Sequence, residues 1–185
     1  MSGESGLATI QETAKRICRA NGRRLRDASV IWSPDLPRFD SEPHMDALKR
    51  FLTDDEATVC IIDPAYLCMG GSPDDHKNIF AVGERLRSIG DACLQCGVTP
   101  IICHHARKSK NDSEPMELGD LAFSGWAEWA RQWILLNRRE RFDPDSNGEH
   151  KLWMTVGGSA GHFGLWGLDI TEGRQSDPGG RRWDV

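Results

Sequence analysis

The chain has 185 residues, of which 38% are hydrophobic and 28% are charged, so it is long enough to bury a sizeable core and has the composition of a globular domain. No run approaches the roughly 18 apolar residues of a membrane span, and the first residues lack the basic and apolar regions of a signal peptide, so we expect a cytoplasmic protein without membrane contacts. The net charge of −5 excludes a global positive field, so any contact with nucleic acid depends on local basic patches, for which the candidates are residues 15–26 and Arg138, Arg139 and Arg141.

The N-terminal part of the chain is predicted to form two helices separated by a strand. In the first helix, Thr9 and Glu12 have the spacing of a capping box, and Gly22 is a typical helix end. Residues 28–32 are predicted to form the strand. Ser41 is a candidate cap for the second helix, whose buried face comprises Met45, Leu48, Phe51 and Leu52.

The middle of the chain predicts strands of a parallel sheet. Residues 57–63, ATVCIID, form a continuous apolar run, which is typical of a strand buried on both faces of such a sheet, and Asp63 ends it. Apolar residues at helical spacing predict a long helix over residues 74–96 that ends at Gly97. Residues 98–103, VTPIIC, are predicted to form the next strand.

The last part of the chain predicts a helix over residues 118–130, then the strand QWILLNRR. Two further strands, HKLWMTVGG and FGLWGLDI, are expected to form a hairpin around residues 159–162, and residues 173–185 are expected to be a disordered tail. This order of elements predicts an α/β fold with a mostly parallel central sheet flanked by helices and a C-terminal β-hairpin at its edge.

Candidate functional residues lie at the predicted strand ends. In open α/β sheets, ligands bind at the carboxyl ends of the strands. Two acids, Glu4 and Asp63, and a histidine pair, His104 and His105, are predicted at these ends, with Arg131 in a nearby loop. Acids, histidines and an arginine at one edge of a sheet indicate a catalytic or binding site.

Four short motifs resemble those of one family. VCIID followed by Pro64 resembles a Walker B strand, and ICHHARKSK resembles the histidine-bearing strand end of RecA-like hexameric helicases, especially the plasmid RepA type. LAFSGWAEWARQW is similar to the segment that follows in that group, and SGESG resembles the strand end that carries the catalytic glutamate. These motifs occur in the family's order over residues 2–170, so the chain resembles the RecA-like P-loop ATPases, which include the DnaB-like helicases.

This resemblance implies a RecA-like P-loop NTPase core over residues 1–172. The sequence contains no G-x-x-x-x-G-K-[S/T], the motif whose backbone amides and lysine hold nucleotide phosphates. In the family that loop precedes the strand with the catalytic glutamate. The resemblance therefore implies an N-terminally truncated core that lacks the Walker A strand and helix, and ATPase activity only when the P-loop is supplied.

The resemblance also implies roles for the candidate residues. Glu4 would polarise the water that attacks the γ-phosphate of ATP, and Asp63 would hold Mg²⁺. His104 or His105 would sense the γ-phosphate, and the sequence leaves open which of the two does so. Arg131 would act as an arginine finger toward the ATP of a neighbouring subunit, because the hairpin segment VGGSAGHFG contains neither lysine nor arginine for that purpose.

The implied partners are ATP, other copies of the chain and DNA. The family forms rings, so the resemblance implies self-assembly, with a hexamer as the expected form. Residues 106–119 are polar and are predicted to form a loop. Lys108 and Lys110 on this loop are candidates for contact with the DNA backbone, and Lys108 is also a candidate for binding the cofactor.

Structural roles remain open for each of these residues. Asp63 would cap a strand end in a turn with Pro64, Arg131 would form a surface ion pair with Glu128, and one of the two histidines would serve packing. Two other functions also remain open. One is a degenerate, non-hydrolysing scaffold or interaction subunit with the same fold, and the other is an unrelated α/β enzyme that binds a metal through Asp63 and the histidines.

Overall fold

The structure is a computed structural model that describes residues 1–72, 74–107, 113–122, 125–174, 176–177 and 179–184, with the backbone alone at 76, 183 and 184. The chain divides into two compact units. The first unit comprises Met1–Gly6, Ile31–Arg107 and Leu121–Trp129, and the second comprises Leu7–Val30, Lys108–Asp120 and Ala130–Val185.

The two units contain four helices and six strands within the described ranges. The helices are α1 (Leu7–Ala20), α2 (Glu42–Asp54), α3 (Ile79–Gln95) and α4 (Trp126–Trp129). The strands are β1 (Val59–Ile62), β2 (Thr99–Ile102), β3 (Gln132–Arg138), β4 (Glu149–Gly158), β5 (Phe163–Thr171) and β6 (Arg182–Asp184). In these same ranges, no helix combines the length and the apolar character needed to cross a membrane. The mixed α/β class predicted from the sequence is confirmed.

The first unit is built on a small parallel sheet. Strands β1 and β2 pair in parallel, from Val59 opposite Thr99 to Ile62 opposite Ile102. On the other side of β1, Ser2 forms a parallel bridge with Asp63. Three chain segments therefore run side by side in the same direction, with β1 in the middle, and β2 has β1 as its one neighbour among the described strands.

Helices α2 and α3 pack against one face of this sheet. Cys60 and Ile62 of β1 belong to the same buried cluster as the apolar stripes of both helices, with 5% and 0% of their surfaces exposed. The alternate residues Val59 and Ile61 are about half exposed, at 48% and 49%. The prediction that residues 57–63 are buried on both faces is therefore wrong, because side chains alternate along a strand and the core covers one face only.

The core of the first unit should depend strongly on Leu86. Its side chain is fully buried on α3, whereas Leu94 on the same helix is 76% exposed. We expect Leu86→Ala to lower the free energy of unfolding by about 2–5 kcal/mol, because it removes buried methyl groups and leaves a cavity. Leu94→Ala is the matched control, with an expected change within about 0.5 kcal/mol. Urea unfolding followed by circular dichroism measures both, and equal effects would contradict this packing.

Helix α3 is shorter than the predicted span of residues 74–96. Asn78 caps the helix, since its side-chain oxygen accepts hydrogen bonds from the Phe80 and Ala81 amides. A separate 3-10 turn, Asp75–Lys77, precedes the helix. The helix ends as expected, since Gly97 follows with a φ of +69°, a backbone conformation that glycine adopts without strain.

Three other predicted elements differ from the structure. Helix α1 begins at Leu7, so Thr9 lies inside its first turn and the predicted capping box is wrong. Residues 28–32 form no strand, because none of the described strands accepts their backbone hydrogen bonds, and the Val30 amide donates locally to the Ala28 carbonyl. The predicted helix over residues 118–130 is also wrong, since Gly125 has a φ of +91° and cannot continue a right-handed helix.

The second unit contains an antiparallel sheet in the order β3–β4–β5–β6. The predicted hairpin is confirmed, because β4 and β5 pair from Glu149 opposite Thr171 to Gly157 opposite Phe163. Strand β6 lies within the tail, whose disorder over residues 173–185 stays a prediction. The described strands are thus divided between a parallel pair and an antiparallel sheet of four, rather than joined in one mostly parallel sheet.

Candidate functional site

Backbone hydrogen bonds hold the first residues beside the end of β1. The Gly3 amide donates to the Asp63 carbonyl at 2.9 Å, and the Asp63 amide donates to the Met1 carbonyl at 3.1 Å. A Cβ at Gly3 would meet the end of the Leu36 side chain, which would have to shift, so glycine favours the close approach of this segment. Glu4 is thereby placed at the carboxyl end of the sheet, next to the end of β1.

A short 3-10 turn, Ala65–Cys68, follows β1 and is fixed to the end of β2. The Ala65 amide donates to the Cys103 carbonyl at 2.9 Å. Ala65 and Cys68 are fully buried, so the turn is anchored in the core, whereas Tyr66 between them is 39% exposed. The phenol ring of Tyr66 is therefore presented at the same edge of the sheet as Glu4.

Glu4, Tyr66 and His105 form a cluster that we call the strand-end triad. The Tyr66 hydroxyl donates to Glu4 Oε1 at 3.0 Å, and His105 Nε2 lies 3.4 Å from the same oxygen. The Tyr66 and His105 rings are tilted, with centroids 5.6 Å apart. The hydrogen bond to Glu4 stabilises the protonated phenol and raises the pKa of Tyr66. Two of the residues predicted from sequence, Glu4 and His105, are thus brought together.

His104 has a different environment from His105. Its ring stacks on the buried ring of Trp126, with centroids 3.8 Å apart and planes 9° from parallel, and its Nε2 lies 2.7 Å from the Ala122 carbonyl oxygen. Burial lowers the pKa of His104, which favours the neutral ring. These contacts are those of a packing residue, and His105 is the histidine beside Glu4.

Asp63 presents an exposed carboxylate at the end of β1. Burial raises the pKa of the neighbouring Cys103 thiol, and the negative charge of Asp63 raises it further. Mg²⁺ is commonly held by one or two carboxylates together with phosphate and water oxygens, and a single exposed carboxylate fits that donor set. In the described ranges, no group of three or more histidine, cysteine, aspartate or glutamate residues is arranged to hold a metal ion by itself.

Arg131, the remaining predicted site residue that the structure describes, belongs to the second unit. Arg131 directly precedes β3, and its carbonyl accepts the Ser159 amide at 2.9 Å. Its side chain is exposed and makes no ion pair with any residue that the structure describes. Lys108 and Lys110 lie outside the described residues. The described end of the predicted DNA loop is held to the sheet, because the Trp153 indole donates to the Ser113 carbonyl at 2.8 Å.

Sequence reasoning missed Tyr66 and Trp126 as parts of the site. Tyr66 lies three residues after Asp63, and its place directly beyond a strand end was the available signal. The aromatic neighbour of His104 had no such signal, because it is 22 residues away along the chain. The site rests on this geometry alone, since no protein-family model and no curated protein matches the chain.

Proposed function

We propose that this chain is the larger part of a RecA-like ATPase core, which hydrolyses ATP once a phosphate-binding loop is supplied. In the intact protein, hydrolysis would drive DNA replication or helicase-type translocation. The observation that supports this most strongly is the placement of Glu4, Asp63 and His105 at the ends of three adjacent segments that run in the same direction. In such sheets this edge is where nucleotides bind.

Phosphoryl transfer from ATP needs positioning and electrostatic stabilisation more than covalent chemistry from the protein. Glu4 would accept a hydrogen bond from the attacking water and so orient the water oxygen. Asp63 would hold Mg²⁺, which when bound offsets the negative charge of the phosphate oxygens. Such a reaction requires one carboxylate to orient the water and a separate one to hold the metal. Glu4 and Asp63 are both exposed at one edge of the first unit.

The remaining roles follow from the environment of each residue. His105 is the better candidate for the γ-phosphate sensor, because it is exposed beside Glu4 while His104 is stacked on Trp126. Arg131 is an exposed arginine without an ion-pair partner in the described part of the chain, as a finger acting on a neighbouring subunit requires. Assembly into a ring, and DNA contact through Lys108, complete the proposal.

The chain by itself should bind ATP weakly. Its 185 residues contain no P-loop motif, and one metal-binding carboxylate cannot replace a cradle of backbone amides and a lysine. We expect isothermal calorimetry of the 185-residue chain with MgATP to show an affinity weaker than micromolar. Micromolar or tighter binding at this site would contradict the requirement for a supplied loop.

The function is tested by joining a strand, P-loop and helix from a RecA-like ATPase in front of Met1. We expect the fusion to hydrolyse ATP in a Mg²⁺-dependent reaction. The matched control carries the same segment with the P-loop lysine replaced by alanine, and it should be inactive. A folded fusion that binds ATP but does not hydrolyse it would overturn the proposal.

That outcome would favour a second candidate, a non-hydrolysing scaffold subunit with the same fold. The observation in its favour is the missing P-loop motif in the 185 residues. Both functions involve assembly, so turnover is what distinguishes them: a scaffold would assemble with partner subunits, as sedimentation analysis of the folded fusion measures, and would hydrolyse no ATP in the same preparation.

A further inference from the structure

Tyr66 and His105 of the strand-end triad both contact the same oxygen of Glu4. The Tyr66 hydroxyl and His105 Nε2 lie 3.0 and 3.4 Å from Oε1. The other oxygen, Oε2, accepts no hydrogen bond from the residues that the structure describes, and the Glu4 side chain is 44% exposed. One oxygen is therefore held by the protein, while the acceptor capacity of the other is unused within the described residues.

We propose that Tyr66 is a positioning residue for the attacking water. Its hydroxyl holds Oε1 of Glu4, so that Oε2 is turned to accept a hydrogen bond from the water. This inference rests on the proposed ATPase function and adds to it a residue that none of the resembling motifs contains. Tyr66 touches neither water nor nucleotide in this role, and acts through Glu4.

The anchoring of Tyr66 suits this role. Its turn is held by the buried residues Ala65 and Cys68 and by the hydrogen bond from the Ala65 amide to the end of β2. Glu4, in contrast, is a flexible side chain in an exposed segment near the start of the chain. When the glutamate rotamer is already fixed, the conformational entropy of the side chain need not be lost as the reactive geometry forms. The rigid partner therefore orders the flexible one.

His105 is the weaker of the two contacts. Its Nε2 is 3.4 Å from Glu4 Oε1 and its side chain is 62% exposed, so the contact is long and open to solvent. Its role as donor also depends on its tautomer. The Tyr66 hydroxyl has one hydrogen to donate. Because its pKa is raised, Tyr66 keeps this proton to a higher pH than an ordinary tyrosine does. Tyr66 is thus the constant donor of the triad.

The contact itself can be measured in the 185-residue chain, without ATP. Tyr66 is the only tyrosine in the sequence, so an ultraviolet absorbance titration reports its pKa directly. We expect Glu4→Gln to lower the pKa of Tyr66, because the variant removes the carboxylate charge and weakens the hydrogen bond. Glu84→Gln, which removes one charge from an exposed position on α3, is the matched control and should leave that pKa unchanged. An unchanged Tyr66 pKa in Glu4→Gln would overturn the proposal.

The positioning role is measured in the fusion that carries a P-loop. We expect Tyr66→Phe to lower kcat about 10- to 100-fold, the loss expected for a hydrogen bond to a charged group, with little change in KM for ATP. A purely structural role would instead lower the melting temperature and leave the kcat of the folded fraction unchanged. An unchanged kcat in a folded, active fusion overturns the positioning role alone, whereas an inactive wild-type fusion overturns the proposed function while the titration still reports the contact.

Discussion

Replacing Arg131 with alanine is expected to lower ATP turnover about 10³- to 10⁵-fold in the fusion that carries a P-loop, which is the typical contribution of an arginine finger. The planar guanidinium can bind two phosphate oxygens at once and stays charged at all relevant pH values. Because the finger would act on the ATP of a neighbouring subunit, ATP affinity and folding should be nearly unchanged. Steady-state kinetics and calorimetry measure the two quantities separately.

A mixing experiment decides whether Arg131 acts across a subunit boundary. Arg131→Ala subunits combined with Glu4→Gln subunits should regain part of the activity, since a mixed interface can contain one intact copy of each residue. The recovery should rise with protein concentration, because it requires assembly. Arg174→Ala, at another exposed arginine of the second unit that lies outside both basic patches, is the control and should leave turnover unchanged. If mixing restores nothing where rings form, Arg138 or Arg139 becomes the next candidate.

Replacing Glu4 with glutamine should lower turnover about 10²- to 10⁴-fold, the range typical of a positioned acid–base group. The amide retains the shape of the side chain but no longer accepts a proton or holds the water as strongly. Nucleotide binding should persist, since in the proposed role Glu4 would contact the water and neither the metal nor the phosphates.

The same charge change at Glu84 serves as the control, because this exposed residue of α3 lies outside the strand-end triad. We expect Glu84→Gln to keep both turnover and affinity. An equal loss of ATP binding and turnover in Glu4→Gln would show that Glu4 is not the residue that orients the water.

Local patterns were enough to predict the elements whose stability comes from one helical stripe or one hairpin. The buried residues of α3 follow the predicted stripe, and β4 and β5 pair around the predicted turn. Residues 28–32 show the limit of this reasoning. Their apolar side chains favour a strand, but a strand also needs a partner for its backbone hydrogen bonds, and a single segment does not reveal whether one exists.

The candidate site was predictable only in part for the same reason. The placement of Glu4 and Asp63 beyond strand ends follows from sequence order, because parallel strands bring their carboxyl ends to one edge. The division of work between His104 and His105 depends on contacts with Trp126 and with Glu4, both distant in sequence. Adjacent residues at a strand end point to opposite sides, so one of the pair reached the core and the other the open edge.

The open edge of β2 limits how readily another chain can pair there. The Cys103 amide donates to the Ile62 carbonyl of β1 at 2.9 Å, and successive amides of a strand point in opposite directions. The amides at positions 100 and 102 therefore face away from β1, but residue 100 is a proline and has no N–H. An incoming strand would receive a single amide from β2, that of Ile102. The missing N–H of the proline disfavours non-specific pairing of other copies with this edge of the sheet. A strand that does add here must supply most of the hydrogen-bond donors itself.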